Sequence, residues 1–219
     1  TINVVNGTKT IKSAEYSVGD IEDILYGEDA TTASIKDAKI KGYYEAEKKG
    51  NLVTDLYEGV NLSYFLKNIV EIPGEKGTIT FNMGTEDEYS MDLESLLKLT
   101  DGYNTNTKLS GLEPVLAFAK NGAPMVNSKE EADGYESDFT VGEGKYASTY
   151  DVKNNGGPLS VMIPNTSKDV KDAKAVTNVS SITIHLSADK YAHIEAPYDT
   201  YASETLTISG EGTRLTEPK

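Results

Sequence analysis

The chain has 219 residues, of which 37% are hydrophobic and 26% charged, a composition typical of globular proteins. Because 35 acidic side chains outnumber 21 basic ones, the net charge is -14, which argues against nucleic acid and anionic membrane surfaces as partners. The chain contains no cysteine, which excludes disulfides, thiolate catalysis and cysteine-ligated metals. No stretch approaches the roughly eighteen apolar residues of a membrane-spanning helix, so membrane insertion is not expected.

The beginning of the chain predicts an edge strand followed by a short helix. Residues 1–5 alternate apolar and polar side chains and lead into an Asn-Gly turn signal. Ser17 is followed three residues later by Asp20, an arrangement that resembles a helix capping box. We therefore expect a helix over residues 17–25, with its apolar side chains on one face.

The next part of the chain predicts a hairpin and a second helix. Residues 33–58 contain two strand-like runs around a charged, glycine-containing turn at residues 47–51. Residues 59–66 predict a helix capped by Asn61, with Leu and Phe on its buried side. The segments that follow predict two strands and a helix, at residues 78–81, 88–91 and 92–99, the helix being capped by Asp92.

Three later segments place glycine and proline turns beside apolar strands. The segment at residues 113–125 predicts a strand that ends in Asn121-Gly122-Ala123-Pro124. A Gly-Gly-Pro turn at residues 156–158 precedes a short buried strand that ends at Pro164. After a loop, residues 176–186 predict a longer strand with three apolar side chains on one face, namely Ile182, Ile184 and Leu186.

This order of motifs, together with the helix at residues 59–66, resembles the molybdopterin-binding domain of the sulfite oxidase family. In that family a strand ending in Asn-Gly-x-Pro precedes a His-Gly-x-Pro-Leu-Arg strand and a final Val-Lys-x-x-x-x-Ile strand. A Gly-Val-x-Leu-x-x-Leu-Leu helix follows the metal-binding cysteine of the family. The resemblance implies an α+β fold of mixed sheets with a few short helices.

The resemblance also implies which residues would face a cofactor cleft, but the charged groups of the family are missing here. The family's histidine falls on Asn155, its arginine on Ser160 and its lysine on Thr177, and no cysteine is present to bind a metal. A buried phosphate requires charged donors, so no molybdopterin and no metal are expected. The candidate residues of this vestigial cleft are Asn155, Gly156, Ser160, Thr177 and Asn121.

Other catalytic or metal sites have little support in the sequence. His185 is predicted to lie exposed on its strand and His193 in the segment after it, and no third ligand can be placed beside them. The chain has no Gly-x-Ser-x-Gly motif, so nothing selects one serine as a nucleophile. We therefore expect a protein without catalytic residues.

The domain organisation predicted from the sequence is one sulfite oxidase-like domain at residues 1–196 and a short tail at residues 197–219. Residues 205–209 have the same alternation as residues 1–5 and predict a strand. This strand either pairs back onto the domain or opens a following copy in a tandem array. We expect it to be docked, so that deletion of residues 197–219 lowers the melting temperature.

The composition indicates an exported protein. The chain has 14 Tyr and no Trp, with many Thr, Ser and Asn, which resembles exported proteins of Gram-positive bacteria. It begins at Thr1 without Met, so we expect a leader peptide to have been processed away or omitted. The leading hypothesis is a non-catalytic domain of an extracellular or cell-surface bacterial protein that binds a small ligand, a glycan or a protein. The alternatives are a molybdopterin-dependent oxidoreductase with altered cofactor ligation and an all-β carbohydrate-binding or adhesive domain.

Overall fold

Strands dominate the computed structural model, which describes residues 1–28, 30–48, 51–84, 87–125, 139–141, 148–150 and 156–187. The strands are β1 (Ile2–Asn6), β2 (Lys9–Ala14), β3 (Lys39–Lys48), β4 (Asn51–Asn61), β5 (Gly77–Asn82), β6 (Glu88–Asp92), β7 (Gly102–Asn104), β8 (Leu109–Leu112), β9 (Val115–Lys120), β10 (Ala123–Pro124), β11 (Phe139–Val141), β12 (Ser148–Tyr150), β13 (Ser160–Ile163), β14 (Lys174–Val176) and β15 (Ser181–Leu186). The helices are α1 (Val18–Tyr26), α2 (Thr32–Ala38), α3 (Leu62–Tyr64), which continues as a π-helical turn (Phe65–Ile69), and α4 (Leu93–Leu97). The predicted class, mixed sheets with a few short helices, is confirmed at this level.

The first main sheet joins distant parts of the chain in the order β2-β1-β15-β5-β6. Strand β1 pairs in parallel with β15, so that Ile2 lies opposite Ile182, while the other neighbours are antiparallel. The prediction that β1 is an edge strand is wrong, because the strand is paired on both sides. Its partner β15 lies far away in the sequence, and a local pattern carries no information about such pairing.

The second main sheet is antiparallel and has the order β14-β13-β9-β4-β3, with β10 paired to β9. Strand β13 is buried along its whole length, as its continuous apolar run predicts. Two further pairs of strands, β7 with β8 and β11 with β12, form separate hairpins. The hairpin predicted for residues 33–58 is therefore confirmed from Lys39 onward as β3 and β4.

The main hydrophobic core lies between the two sheets and the helices. It includes Val4 and Ile184 from the first sheet and Leu116 from the second, together with Leu25 of α1 and Phe65 of the π-helical turn, all at most 2% exposed. A smaller cluster is centred on the second sheet and contains Tyr57, Val115, Ala117, Met125 and Met162. Burial of side chains of this kind is the main source of stability in such a fold.

The helix caps predicted from the sequence are confirmed. The Ser17 hydroxyl accepts a hydrogen bond from the Asp20 backbone N–H (3.0 Å), and the Asp20 carboxylate accepts one from the Ser17 N–H (2.7 Å), which completes a capping box. Asn61 caps α3 by accepting from the Tyr64 N–H (2.9 Å), and Asp92 caps α4 by accepting from the Ser95 N–H (2.7 Å). Each cap satisfies a backbone donor that has no partner inside its helix.

Two segments differ from their predicted structure. Residues 33–38, predicted as part of a strand, belong to helix α2. The long strand predicted for residues 176–186 is divided, since β14 ends at Val176 in one sheet and β15 begins at Ser181 in the other. Asn178 lies between them with φ of 55°, a left-handed conformation that no strand contains.

The carboxylate of Glu45 helps to attach the β7–β8 hairpin to β3. Glu45 accepts hydrogen bonds from the backbone N–H groups of Thr105 (3.0 Å) and Asn106, and from the Asn165 side-chain amide (3.3 Å). The Asn165 oxygen in turn accepts from the N–H groups of Asp172 and Ala173, at 2.9 and 2.8 Å. One glutamate therefore ties a strand, a hairpin and a loop together.

Several predictions concern residues outside the described ranges. These are the turn at residues 49–50, the candidate Asn155, His193, the boundary between residues 196 and 197, and the strand at residues 205–209. Within the described ranges, no helix has the length and apolar character needed to cross a membrane.

Candidate functional site

A cleft of about 570 Å³ opens beside the break between β14 and β15. Its walls are formed by Thr1 and by residues 16–18, 83–84, 157–159 and 178–180. The N-terminal end of α1, the turn after β5, the loop before β13 and the break itself therefore meet at one place. Loops carried on a rigid scaffold of this kind are a common location for binding sites.

Three of the residues predicted for the vestigial cleft lie together directly behind this wall. The carbonyl of Gly156 accepts hydrogen bonds from the Ser160 hydroxyl (2.6 Å) and from the Asn178 N–H (2.7 Å). A Cβ atom on Gly156 would lie 3.3 Å from Cγ2 of Thr177. The structure thus brings Gly156, Ser160 and Thr177 into one packed cluster, and the adjoining residues Gly157 and Asn178 line the cleft instead.

The candidate Asn121 belongs to a different part of the second sheet. Its side chain accepts from the Leu56 N–H (2.9 Å) and donates to the Asp55 carboxylate (3.0 Å), which also pairs with Lys120 at 3.2 Å. Asn121 lies four residues beyond Ala117, the strand partner of Ser160. At the rise of a β-strand this corresponds to about 13 Å. The polar groups of Asn121 therefore hold the β9–β10 turn against β4.

Two serine hydroxyls in the cleft wall already donate their protons inside the protein. Ser17 donates to the Asp20 carboxylate (2.8 Å) and accepts from the Asp20 N–H. Ser180 donates to the Asn82 carbonyl (3.1 Å) and accepts from the Gly84 N–H (3.1 Å). A hydroxyl has one proton and two lone pairs, so each serine retains the capacity to accept one more hydrogen bond.

Tyr16 is the aromatic side chain of the cleft wall. Its ring packs edge to face against Phe65 with 5.1 Å between the ring centroids, and its hydroxyl lies 3.5 Å from the carbonyl of Ile69. Burial raises the pKa of the Tyr16 phenol, and the nearby charge of Glu71 raises it further. Tyr16 therefore stays neutral and presents an apolar ring with a polar end.

Asn178 provides the one side-chain amide of the described cleft wall. Its positive φ turns the chain sharply between β14 and β15, and its side chain is exposed and makes no hydrogen bond to the described residues. An Asn can both donate and accept, so this amide is available to a ligand. Sequence reasoning missed Asn178 as a cleft residue, although an Asn between two apolar strand segments is a known signal for a left-handed turn.

A small apolar pocket of about 30 Å³ lies beside the cleft. It shares Tyr16, Leu159, Val179, Ser180 and Thr1 with the cleft wall, and its other walls are mostly apolar side chains of the core, namely Ile2, Ile21, Phe65, Leu116 and Ile182. A volume of this size holds about one or two water molecules or a methyl group. The cleft therefore has polar walls and an apolar extension.

The described wall of the cleft carries no charged side chain. In the described part of the chain, no group of three or more acidic or histidine residues is arranged to hold a metal ion, and His185 is exposed on β15, as predicted. The groups that meet at the cleft can form hydrogen bonds and apolar contacts, and they include no paired nucleophile and base.

No protein-family model matches this sequence, and no curated protein is significantly similar to it. The cleft and the cluster behind it are therefore the observations on which a function can be proposed.

Proposed function

We propose that this domain is a non-catalytic binding module of an exported or cell-surface bacterial protein, and that its ligand occupies the cleft. We also propose that, within the class of mixed sheets with a few short helices, its fold is that of the sulfite oxidase molybdopterin-binding domain. The single observation that carries the function is the cleft of about 570 Å³, whose described side chains are uncharged and offer hydrogen bonds and apolar contacts. A cleft of this size is in the range that binds small molecules.

The residues present do not fit molybdopterin. The phosphate of that cofactor is held by charged donors when it is buried, and the corresponding positions here include Ser160 and Thr177. The Ser160 hydroxyl is fully buried and donates its proton to the Gly156 carbonyl, so it has no proton to offer a phosphate. This supports a binding role over an oxidoreductase with altered ligation.

The location outside the cell is proposed from composition. Abundant Thr, Ser, Asn and Tyr with no cysteine support export, and the net charge of -14 supports partners other than nucleic acid and anionic membranes. A tandem arrangement of copies, a glycan partner and a protein partner are all compatible with such a module.

Two measurements test the proposal. Protein expressed in a host that makes molybdopterin is expected to contain far less than one molybdenum per chain by elemental analysis. Small neutral, anionic and cationic fragments are then titrated while amide signals of Gly84, Asn178 and Ser180 are followed by NMR. We expect neutral polar fragments to shift these signals. A metal ratio near one after gel filtration, or no shift with any fragment class, would contradict the proposal.

A matched pair of variants locates the binding. Asn178→Gly removes the available amide but tolerates the positive φ, so the fold should persist while the shifts caused by neutral fragments decrease. Lys108→Gly changes a residue with the same φ of 55° in the turn between β7 and β8, away from the cleft wall. We expect Lys108→Gly to bind like the parent. Equal losses in both variants would mean that the effect is on the fold and not on the cleft.

A further inference from the structure

We propose that the ligand of the cleft is a neutral glycan that carries an N-acetyl group, an inference that rests on the proposed function. The hydrogen-bonding capacity of the wall supports it first. Ser17 and Ser180 have spent their protons on Asp20 and Asn82, so the capacity that remains to them is to accept. A matching ligand must bring donors, as sugar hydroxyls and amide N–H groups do.

The absence of charged side chains in the described wall narrows the class of ligand, and the charge that this wall does carry, the N-terminal ammonium of Thr1, donates to the Ser180 carbonyl (3.2 Å). An anionic group would meet the acceptor oxygens of Ser17 and Ser180 on a protein whose net charge is -14. A cationic group would lose its hydration without a carboxylate in the described wall to pair with it, since the Asp20 carboxylate is bound to Ser17. A neutral, hydroxyl-rich ligand has neither disadvantage.

The small apolar pocket provides the second feature. Its volume of about 30 Å³ and its walls of Ile2, Ile21 and Phe65 suit one methyl group. Tyr16 and Val179 line both cavities, so the pocket adjoins the cleft, and the proposal places a methyl in the pocket and the polar part of the same ligand in the cleft. An acetamido substituent on a sugar ring joins a methyl to a polar amide over this short distance.

A glycan is favoured over an extended peptide. Peptides that lie along a sheet use the unpaired edge of a strand. Strands β1, β15 and β5, which end at the cleft, are each paired on both sides, and the edge strand β14 beside it has only three residues, Lys174–Val176, a short edge for a peptide to extend. The Tyr16 ring in the wall suits the apolar face of a pyranose ring.

The test uses three β1,4-linked trimers that differ only at carbon 2, where they carry acetamido, amino or hydroxyl groups. Binding is measured by calorimetry and by the NMR signals of Asn178 and Ser180. We expect the acetamido trimer to bind most tightly, at least about fourfold more tightly than the hydroxyl trimer, which is the gain expected from burying one methyl group. Equal or tighter binding of the hydroxyl or amino trimer would overturn the inference.

A change in the ligand tests the pocket without changing the protein. An N-propionyl trimer is one methylene longer, and we expect it to bind more weakly than the acetamido trimer because the pocket has room for a single methyl. In the protein, Val179→Leu narrows the pocket and should remove the preference for acetamido. Val170→Leu, the same change at an exposed residue outside the cleft wall, should keep it. Retention of the preference by Val179→Leu would count against the pocket assignment.

Two further outcomes separate this inference from the proposed function. An N-acetyl-trialanine amide that shifts the cleft signals when none of the trimers does would identify a peptide site and overturn the glycan. Neutral fragments that bind the cleft when all three trimers fail would also overturn the glycan, yet they would leave a binding module in place. Failure of every fragment and every trimer would refute both.

Discussion

Gly156 occupies a backbone conformation that residues with a side chain rarely adopt. Its φ is 141°, and its carbonyl accepts two hydrogen bonds that hold the loop before β13 against the break after β14. The Gly-Gly-Pro sequence predicted a turn at residues 156–158, and the positive φ of Gly156 is a conformation that glycine adopts there without strain. Gly156 therefore contributes to the cleft wall through its backbone conformation and its carbonyl.

Replacing Gly156 by alanine is expected to destabilise the protein by about 1–3 kcal/mol, because alanine must adopt a strained φ. The new Cβ would also lie 3.3 Å from Thr177, which leaves little room to relax. Gly19→Ala is the matched control. Gly19 lies inside α1, where a Cβ would meet only the Ser17 hydroxyl at 3.6 Å, and alanine should stabilise the helix by about 0.5–1 kcal/mol. Urea denaturation measures both, and a Gly156→Ala protein as stable as the parent would refute the strain.

Asp20 links the stability of α1 to pH. Hydrogen bonds from the backbone and the hydroxyl of Ser17 hold the pKa of the Asp20 carboxyl below its ordinary value of 3.8. A lowered pKa in the folded state means that the carboxylate stabilises the fold above the ordinary value and that this contribution is lost as pH falls through the folded pKa. We therefore expect the stability difference between parent and Asp20→Asn to shrink as pH is lowered from 6 to about 2.

Thermal melts of both proteins across this range measure the difference. Glu22→Gln serves as the control, because Glu22 lies in the same helix but outside the capping box. This variant should keep the acid dependence of the parent. A stability difference between parent and Asp20→Asn that is constant with pH would show that the capping carboxylate has no linkage to folding.

At the scale of elements, Glu45 connects β3 to the β7–β8 hairpin and to the loop around Asn165. Glu45→Ala leaves the N–H groups of Thr105 and Asn106 and the Asn165 amide without their acceptor. Unpaired donors in a partly buried position cost about 1–3 kcal/mol, which we expect as the loss of stability. Amide exchange at Thr105 and Asn106 should become faster than in the parent.

The matched control is Glu58→Ala on the neighbouring strand β4. Glu58 pairs with Lys41 at 3.2 Å, where the Lys41 side chain is 53% exposed. Exposed ion pairs contribute about 0–1 kcal/mol, so the control should lose less stability than Glu45→Ala. Similar losses in both variants would indicate that the three donors find water when Glu45 is removed.

Local patterns predicted those features that depend on neighbours in the sequence. The caps at Ser17, Asn61 and Asp92 and the buried strand β13 were predicted because each depends on residues a few positions apart. Helix α2 was missed because its seven residues carry no periodic apolar face and follow directly into β3. The division of residues 176–186 into two strands was missed because apolar residues, Val176 and Val179, lie on both sides of the break and suggest one continuous strand. The break itself depends on the left-handed conformation of Asn178.

At the scale of the whole molecule, the first sheet depends on β15. This strand lies between β1 and β5, so its removal splits the sheet into the pairs β2-β1 and β5-β6 and exposes the apolar faces around Val4 and Ile79. We expect a chain that ends at residue 180 to show no cooperative thermal transition by circular dichroism. A chain that ends at residue 187 retains β15 and should unfold cooperatively, at a lower melting temperature than the full chain if the predicted C-terminal strand covers apolar surface. Cooperative unfolding of the shorter chain would contradict the central role of β15.

The cleft itself could not be predicted as a whole, because it forms where distant segments meet. The family resemblance indicated Gly156, Ser160 and Thr177, which lie together behind the wall. It also indicated Asn121, which lies apart from them, four residues beyond Ala117, the strand partner of Ser160. Tyr16, Ser17 and Met83 enter the wall from α1 and β5. Their place there depends on the packing of the two sheets, which a single sequence does not encode in any local pattern.

The parallel pairing of β1 and β15 gives the fold a mechanical property. Residue 1 precedes β1 and residue 187 follows β15, so tension between these points draws the two strands past each other along their length. In this geometry the hydrogen bonds of the ladder bear load together, whereas a strand that is peeled away loses them one at a time. A domain loaded in this way resists extension until the whole ladder ruptures.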